Sequence, residues 1–286
     1  MNTIPLEPNI SATLLVLVSA VLHAVWNAAL KNQTDKMAVT AVMHFSSAVL
    51  ILPAVAFIPL PSPQMAGLIL LSIIAHSLYQ QTLIKALTAG DLSVVYPIAR
   101  GTGPLIVGLL AYFILAETLA PQDMLAVLII VTGIMWTAIT SIRRGAATHG
   151  TSWALVTGGL IASYTIIDAA GVRMAETGFV FIIWSHIAFG PFYLLSCFKI
   201  RGKALAPALL KAWKPGILLG ILSYGGYAMA LFAFRIGHIA EISALRETSI
   251  LFATLLGIFW LREGFSKTKL VAACLIALGA ILLKAF

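Results

Sequence analysis

Charged side chains are scarce in this sequence. Asp, Glu, Lys and Arg make up 10% of its 286 residues, where a soluble domain carries roughly 25%. Hydrophobic residues make up 60% and mean hydropathy is +1.01, which excludes an ordinary water-soluble chain. Cysteine is nearly missing. Cys197 and Cys274 both fall inside apolar segments, which argues against a disulfide framework. The first ten residues hold no Lys or Arg; a cleaved signal peptide wants a basic start, so none is expected. There is no H-E-x-x-H, no C-x-x-C and no glycine-rich phosphate loop with its lysine. The expectation is therefore no metal, no cofactor and no ATP-driven cycle. A net charge of +8 remains. Its Lys and Arg are scattered between apolar segments rather than gathered in a stripe, so nucleic acid is not an expected partner. The expected partners are the lipid bilayer and a small-molecule substrate, with a homodimer as a candidate assembly.

A membrane-spanning helix needs about 20 apolar residues. Ten candidates occur, near 11–30, 37–58, 65–87, 92–115, 122–141, 152–171, 179–198, 213–234, 239–261 and 267–285. The fold expected is all-α and integral to the membrane, with ten transmembrane helices. The longest charged linkers, 143–150 and 199–214, are too short for a soluble domain. Thirteen Lys and Arg follow the odd-numbered candidates, and only Arg173, Arg235 and Lys284 lie on the opposite side. Basic loops stay in the cytoplasm, so the odd-numbered loops are expected inside and both termini outside.

The stretch 96–104 reads Y-P-I-A-R-G-T-G-P. Arg100 sits at mid-depth of its segment, where a cation costs about 2.5 kcal/mol or more in hydrocarbon, so it must face protein or water. Pro97 and Pro104 bracket it and are expected to free backbone carbonyls, while Gly101 and Gly103 allow close approach. A shift of 146 residues, without a gap, places Arg100 on Arg246, Thr102 on Thr248, Glu117 on Glu263 and Gly133 on Gly279. This is an internal duplication, with halves 11–141 and 152–285. Each half has five segments, an odd number, so the second enters the membrane inverted. Inverted repeats build secondary transporters, with the substrate site near the midplane. The first helices of the halves match less well; Asn27 pairs with Asp168 at a shift of 141 and His44 with His186 at 142.

Ten apolar segments, a five-helix duplication, L-A-E at 115–117, L-R-E at 261–263 and the run H-A-V-W-N-A-A-L-K at 23–31 resemble the EamA-like branch of the drug/metabolite transporter superfamily. The resemblance covers nearly the whole chain and implies export or uptake of small metabolites by alternating access. The R-G-T-G-P run is also similar to a branch associated with phosphonate utilisation. One departure is visible. Family members usually keep both termini in the cytoplasm, and the charge pattern here points the other way.

Residues three or four apart share a helix face. His23 and Asn27 align on the first helix, and Tyr164 and Asp168 on the sixth. His76, Tyr79 and Gln80 form a patch on the third, and Tyr224 and Tyr227 one on the eighth. Tyr96 and Arg100 align on the fourth; Ser243, Arg246 and Glu247 cluster on the ninth. These helices are expected around a central cavity, with the fifth and tenth at the periphery. Arg100 reads as an anion clamp holding a carboxylate or phosphonate, or as half of an ion pair with Asp168 or Glu247. Arg246 admits the same two readings; Glu247, a candidate at the substrate site, reads also as an ion-pair partner across helices. Asp168 is a proton carrier or the counter-ion of Arg100. His23 and His76 are relays, ligand donors or packing residues, and Asn27 binds substrate or glues helices. The tyrosines line a pocket or pack with one satisfied hydroxyl. Glu117 and Glu263 read as caps or loop anchors. The expected function is secondary-active transport of a small polar metabolite, anionic or zwitterionic, across a bacterial inner membrane, centred on Arg100. The rivals are an intramembrane enzyme, for which no nucleophile–base set exists, and a lipid flippase or lipid-modifying protein.

Overall fold

The structure, a computed structural model, describes residues 10–174, 177–259 and 266–285. Among them are only helices and connections: α1 (Ile10–Lys31), α2 (Lys36–Ile51, continued by a 3-10 turn, Leu52–Phe57), α3 (Pro63–Ala89), α4 (Leu92–Leu115), α5 (Pro121–Arg143), α6 (Thr151–Met174), α7 (Phe179–Arg201), α8 (Leu205–Ile236), α9 (Ile239–Arg246), α10 (Ser249–Phe259) and α11 (Lys267–Ala285). Helices start where the chemistry of their first turn permits. The Asp35 carboxylate accepts from the Ala38 amide at 3.0 Å to cap α2, and Ser62 caps α3 ahead of a proline in its first turn.

Seven stretches of the described residues are long and apolar enough to cross a membrane, and one of them, Phe179–Ile236, holds both α7 and α8. Two expectations need correcting. The segment 199–214 is not a linker; a 3-10 turn at Gly202–Ala204 leads directly into α8, which begins at Leu205 rather than near 213. The ninth apolar segment is not one helix. It stops at Arg246 and restarts at Ser249, and Glu263 lies outside the described residues. The prolines also behave unexpectedly, since α4 runs unbroken through Pro97 and Pro104.

Large side chains such as Leu14, Leu70, Leu109, Phe113, Leu195 and Ile281 cover the outside, while much of the interior is alanine and valine. This is the inverse of a soluble core and suits lipid outside with close helix contact inside. The two halves interleave. α6 packs on α3 and α4; correspondingly, α1 packs on α8, α9 and α10. α5 and α11 pair with each other along a seam where the repeat-related glycines sit. A Cβ on Gly133 would meet the Ala272 carbonyl oxygen at 2.9 Å, and one on Gly279 would meet Ile130 Cγ1 at 2.6 Å.

The bundle has two unlike ends. At the end bearing the α4–α5, α6–α7 and α8–α9 connections, one continuous apolar core joins α1, α3, α4, α6, α7, α8 and α9 with α5 and α11. At the other end the core is divided. One part, around Met43, Cys197 and Leu219, unites α1, α2, α7 and α8. The other, around Val95, Ile98 and Ala154, unites α3, α4, α5 and α6. Each part has its own strap. Arg201 Nη1 donates to Asp35 Oδ2 at 2.5 Å, and the Ala147 amide donates to Asp91 Oδ2 at 2.8 Å. The Ala38 amide and the Arg201 guanidinium hold the Asp35 carboxyl below its usual range.

The seam makes a test. Gly133→Leu and Gly279→Leu should each cost about 1–3 kcal/mol by overpacking, read as a lower melting temperature in detergent. Gly159→Leu, where a Cβ meets nothing within 4 Å, should leave that temperature unchanged.

Candidate functional site

Between the two divided cores lies a cavity of about 310 Å³, at the small end of the range for metabolite pockets. Its walls come from α1, α2, α3, α4, α6, α7, α8 and α9, and none of its lining residues belongs to α5 or α11. It reaches from mid-depth, at Arg100 and Tyr227, towards the divided end, at Leu30, Thr40, Leu83 and Tyr193.

Of the residues placed around a cavity from the sequence, eleven line it: His23, Asn27, His76, Tyr79, Gln80, Tyr96, Arg100, Tyr164, Tyr224, Tyr227 and Arg246; Ser243 does not, and two more remain. The other two, Asp168 and Glu247, stand directly behind lining residues and bond to them. Helices α2 and α7 also line it, with His44, Ser47, His186 and Tyr193, which the sequence reading left out. The signal was present. Thr40, His44 and Ser47 fall four and then three residues apart, the spacing of one helix face.

Arg100 is 8% exposed and Glu247 4%. Arg100 Nε donates to Glu247 Oε2 at 3.0 Å, and its Nη2 donates to Ser249 Oγ at 3.4 Å. The α9–α10 interruption is thus docked onto the middle of α4. There the amides of Glu247 and Thr248 bond three residues back, to Ala244 and Leu245, and the Thr248 hydroxyl donates to the Leu245 carbonyl at 2.7 Å. Hydroxyls that bond back to the turn bend or end a helix. Glycines let α4 approach its neighbours: a Cβ on Gly158 would meet Thr102 Cβ at 2.7 Å.

Arg246 is placed differently. Its guanidinium carbon lies 5.8 Å from the ring centres of both Tyr227 and Phe234, a cation–π setting. Among the described residues no carboxylate lies within ion-pair distance of it. Asp168 is not the counter-ion of Arg100. It accepts from Ser72 Oγ at 2.5 Å and from the Tyr227 hydroxyl, with His76 Nε2 at 3.8 Å. Asn27 donates to its own helix, to the His23 carbonyl at 2.7 Å.

Imidazole and phenol rings dominate the walls. His76 stacks on Tyr164 at 4.0 Å, His186 meets Tyr224 edge-on at 4.5 Å, His23 meets Trp26, and His44 meets Phe189 and Tyr193. Among the described residues no three His, Cys, Asp or Glu converge to hold a metal ion.

At the undivided end, Arg173 gathers four elements. Its Nε donates to the Phe234 carbonyl at 2.8 Å and its Nη2 to the Gly237 carbonyl at 2.6 Å, while Nη1 pairs with Glu117. Glu117 Oε2 in turn accepts from the Ile239 amide at 2.8 Å. The cation serves carbonyls at the end of α8 and the anion serves the start of α9, each at the helix end its charge suits. Glu117 is an anchor between helices.

The fold and parts of the sequence have counterparts. A solved crystal structure of a protein shares 17% sequence identity and superposes with a TM-score of 0.70, covering 95% of this chain and 97% of that chain. No curated protein matches the chain. The model of the EamA-like transporter family matches twice, over residues 10–139 and 148–285. With both halves matched and nearly the whole chain covered, this protein belongs to the EamA-like transporter family.

Proposed function

We propose that this chain is a secondary-active transporter with ten membrane spans, built as two inverted five-helix repeats (11–141 and 152–285). It carries a small anionic or zwitterionic metabolite by alternating access. The observation that carries the reading is the divided core. A cavity that separates two packed bodies at one end, above a continuous core at the other, is the arrangement a carrier holds when open to one side. The open end bears most of the Lys and Arg, which supports a cytoplasmic side there, with both termini outside, in a bacterial inner membrane.

The ligand's charge follows from the arginines. The Arg100 charge is balanced by Glu247. That of Arg246 is not balanced by an adjacent carboxylate, and it faces the cavity. A site with an exposed guanidinium fork, several hydroxyls and aromatic walls suits a carboxylate or phosphonate on a compact body. The centre of the binding site is therefore Arg246, with Arg100 fixing the α9–α10 interruption beside it. The similarity of R-G-T-G-P to phosphonate-associated relatives makes phosphonates a first ligand class to screen, beside amino acids and nucleosides.

Three outcomes follow. In a thermal-stabilisation screen with those ligands, Arg246→Gln should weaken binding of the anionic hits about tenfold to a hundredfold, the loss of one or two charge-assisted hydrogen bonds. Unchanged binding would remove Arg246 from the site. Glu247→Gln, by contrast, should destabilise the protein by about 3–5 kcal/mol, because it strands a buried cation. The double variant Arg100→Leu with Glu247→Leu should recover most of that loss in melting temperature. Finally, in a chain with Cys197 and Cys274 replaced by Ala, Ser47→Cys should react with a membrane-impermeant thiol reagent from the basic face. Val16→Cys, in the continuous core, should stay unreactive until Glu117→Gln loosens that end. Equal reactivity at both positions from the start would defeat the one-sided opening.

A further inference from the structure

The cluster around Asp168 holds one hydrogen too few. His76 Nδ1 lies 3.0 Å from the Ser72 backbone carbonyl. A carbonyl only accepts, so Nδ1 carries the hydrogen and Nε2 of the neutral ring carries none. Nε2 lies 3.3 Å from the Tyr227 hydroxyl oxygen and 3.8 Å from Asp168 Oδ2. Tyr227 donates its single hydrogen to Asp168. Three acceptor atoms, Nε2, Oη and Oδ2, thus converge around one hydrogen, in a place where Asp168 is 1% exposed.

We propose that Asp168, with Tyr227 and His76, is a one-proton binding site that shares Tyr227 with Arg246, so that the cavity takes up a proton together with its anion. The inference rests on the reading of Arg246 as the anion site. The proton comes from water in the cavity by way of His76, which lines it, and settles on Asp168 Oδ2. That hydrogen is then donated to the Tyr227 oxygen, and the Tyr227 hydroxyl turns to Nε2. Every atom of the triad gains a partner and no buried charge is left on it. Seating the proton on His76 instead would leave Asp168 ionised at 1% exposure, with the imidazolium 3.8 Å away and beyond hydrogen-bond reach, so that the carboxylate's desolvation is poorly repaid.

The groups around the carboxylate fix the sign of the coupling. α3 presents His76, α8 Tyr227 and α9 Arg246, whose guanidinium lies over the Tyr227 ring. α4 presents Arg100 and Tyr96 to the same cavity, with Arg100 committed to Glu247. α7 presents His186, 5.4 Å from the Tyr227 ring, and α6 itself presents Tyr164. With Asp168 ionised, its charge offsets that of Arg246 and repels an incoming anion. With Asp168 protonated, Arg246 is the one cation of the cavity lining without an opposing charge. Proton and anion each strengthen the binding of the other, by the same factor.

The test needs no identified ligand. The chain has four aspartates, Asp35, Asp91, Asp123 and Asp168, so carbon-13 labelling of aspartate leaves four carboxyl signals in an infrared pH titration of the full chain in detergent. One signal should titrate apart from the others and vanish in Asp168→Asn. In Arg246→Gln, which removes a neighbouring cation, that signal should stay protonated to a pH about one unit higher. Tyr227→Phe keeps the carboxylate and removes the shared hydroxyl, so it gives a reading should Asp168→Asn not fold; the shift should have the same sign. Four carboxyls titrating together would overturn the proton site. A separate Asp168 signal that Arg246→Gln leaves in place would overturn the coupling. If Arg246→Gln instead keeps the anion-induced stabilisation of the ligand screen, the anion reading falls and the titration result stands apart from it.

Discussion

Two guanidinium groups stand inside an apolar bundle, and among the described residues only one of them, Arg100, has a carboxylate within ion-pair distance; the rest of the site is arranged around that shortage. A lone cation at this depth is expensive. Arg100 meets the cost with Glu247 and Ser249, and in doing so holds open a helix interruption that would otherwise close into regular hydrogen bonding. Arg246, one residue from that carboxylate, is turned the other way onto two aromatic rings. Neighbouring residues on a helix point in different directions, so the carboxylate that serves α4 does not lie against its own neighbour. The cavity's unbalanced cation is thus a by-product of how the other one is neutralised.

The mechanical parts follow the same economy of contacts. The divided end carries two small cores, each strapped by one acidic residue, Asp35 or Asp91. The undivided end is held by a large apolar core and by Arg173 with Glu117, which tie α4, α6, α8 and α9. Apolar contacts have no fixed direction and can re-form in another register. An arginine bound to two carbonyls and a carboxylate cannot slide without breaking all three. Under the proposed cycle, the Arg173 cluster is what sets the threshold for opening that end, while the cores supply the surfaces that roll.

Much of this was legible in the sequence. The 3.6-residue repetition of polar groups on otherwise apolar helices picked out eleven residues that meet in one cavity. The gapless shift of 146 residues picked out Gly133 and Gly279, which share the α5–α11 seam. What failed did so for physical reasons. Pro97 and Pro104, expected to free backbone carbonyls, lie inside a helix that nonetheless runs without interruption. The actual break lies in the repeat-related segment, which has no proline there; the Thr248 hydroxyl bonds back to Leu245, and Glu247 and Ser249 reach across to Arg100. Pairings across helices leave no local trace, which is also why Asp168 could not be assigned to Ser72 and Tyr227 rather than to Arg100. His44 and His186 were paired by the duplication but not placed at the cavity, because the first helices of the two halves match poorly in sequence.

The duplication equips the two halves alike in packing and unlike in chemistry. At the shift that superposes Arg100 on Arg246, Glu247 falls on Gly101 and Ser249 on Gly103. The first copy kept small residues there and uses them for close helix contact. The second copy carries the acid. Asp168, buried among the described residues like Glu247, also belongs to the second half, while three of the lining histidines, His23, His44 and His76, come from the first and His186 from the second. Inverted halves can exchange conformations because their backbones are equivalent. Under the proposed function, their unlike side chains are what give the site its charge, and a strictly symmetric pair of arginine sites would have left either two unbalanced cations or none.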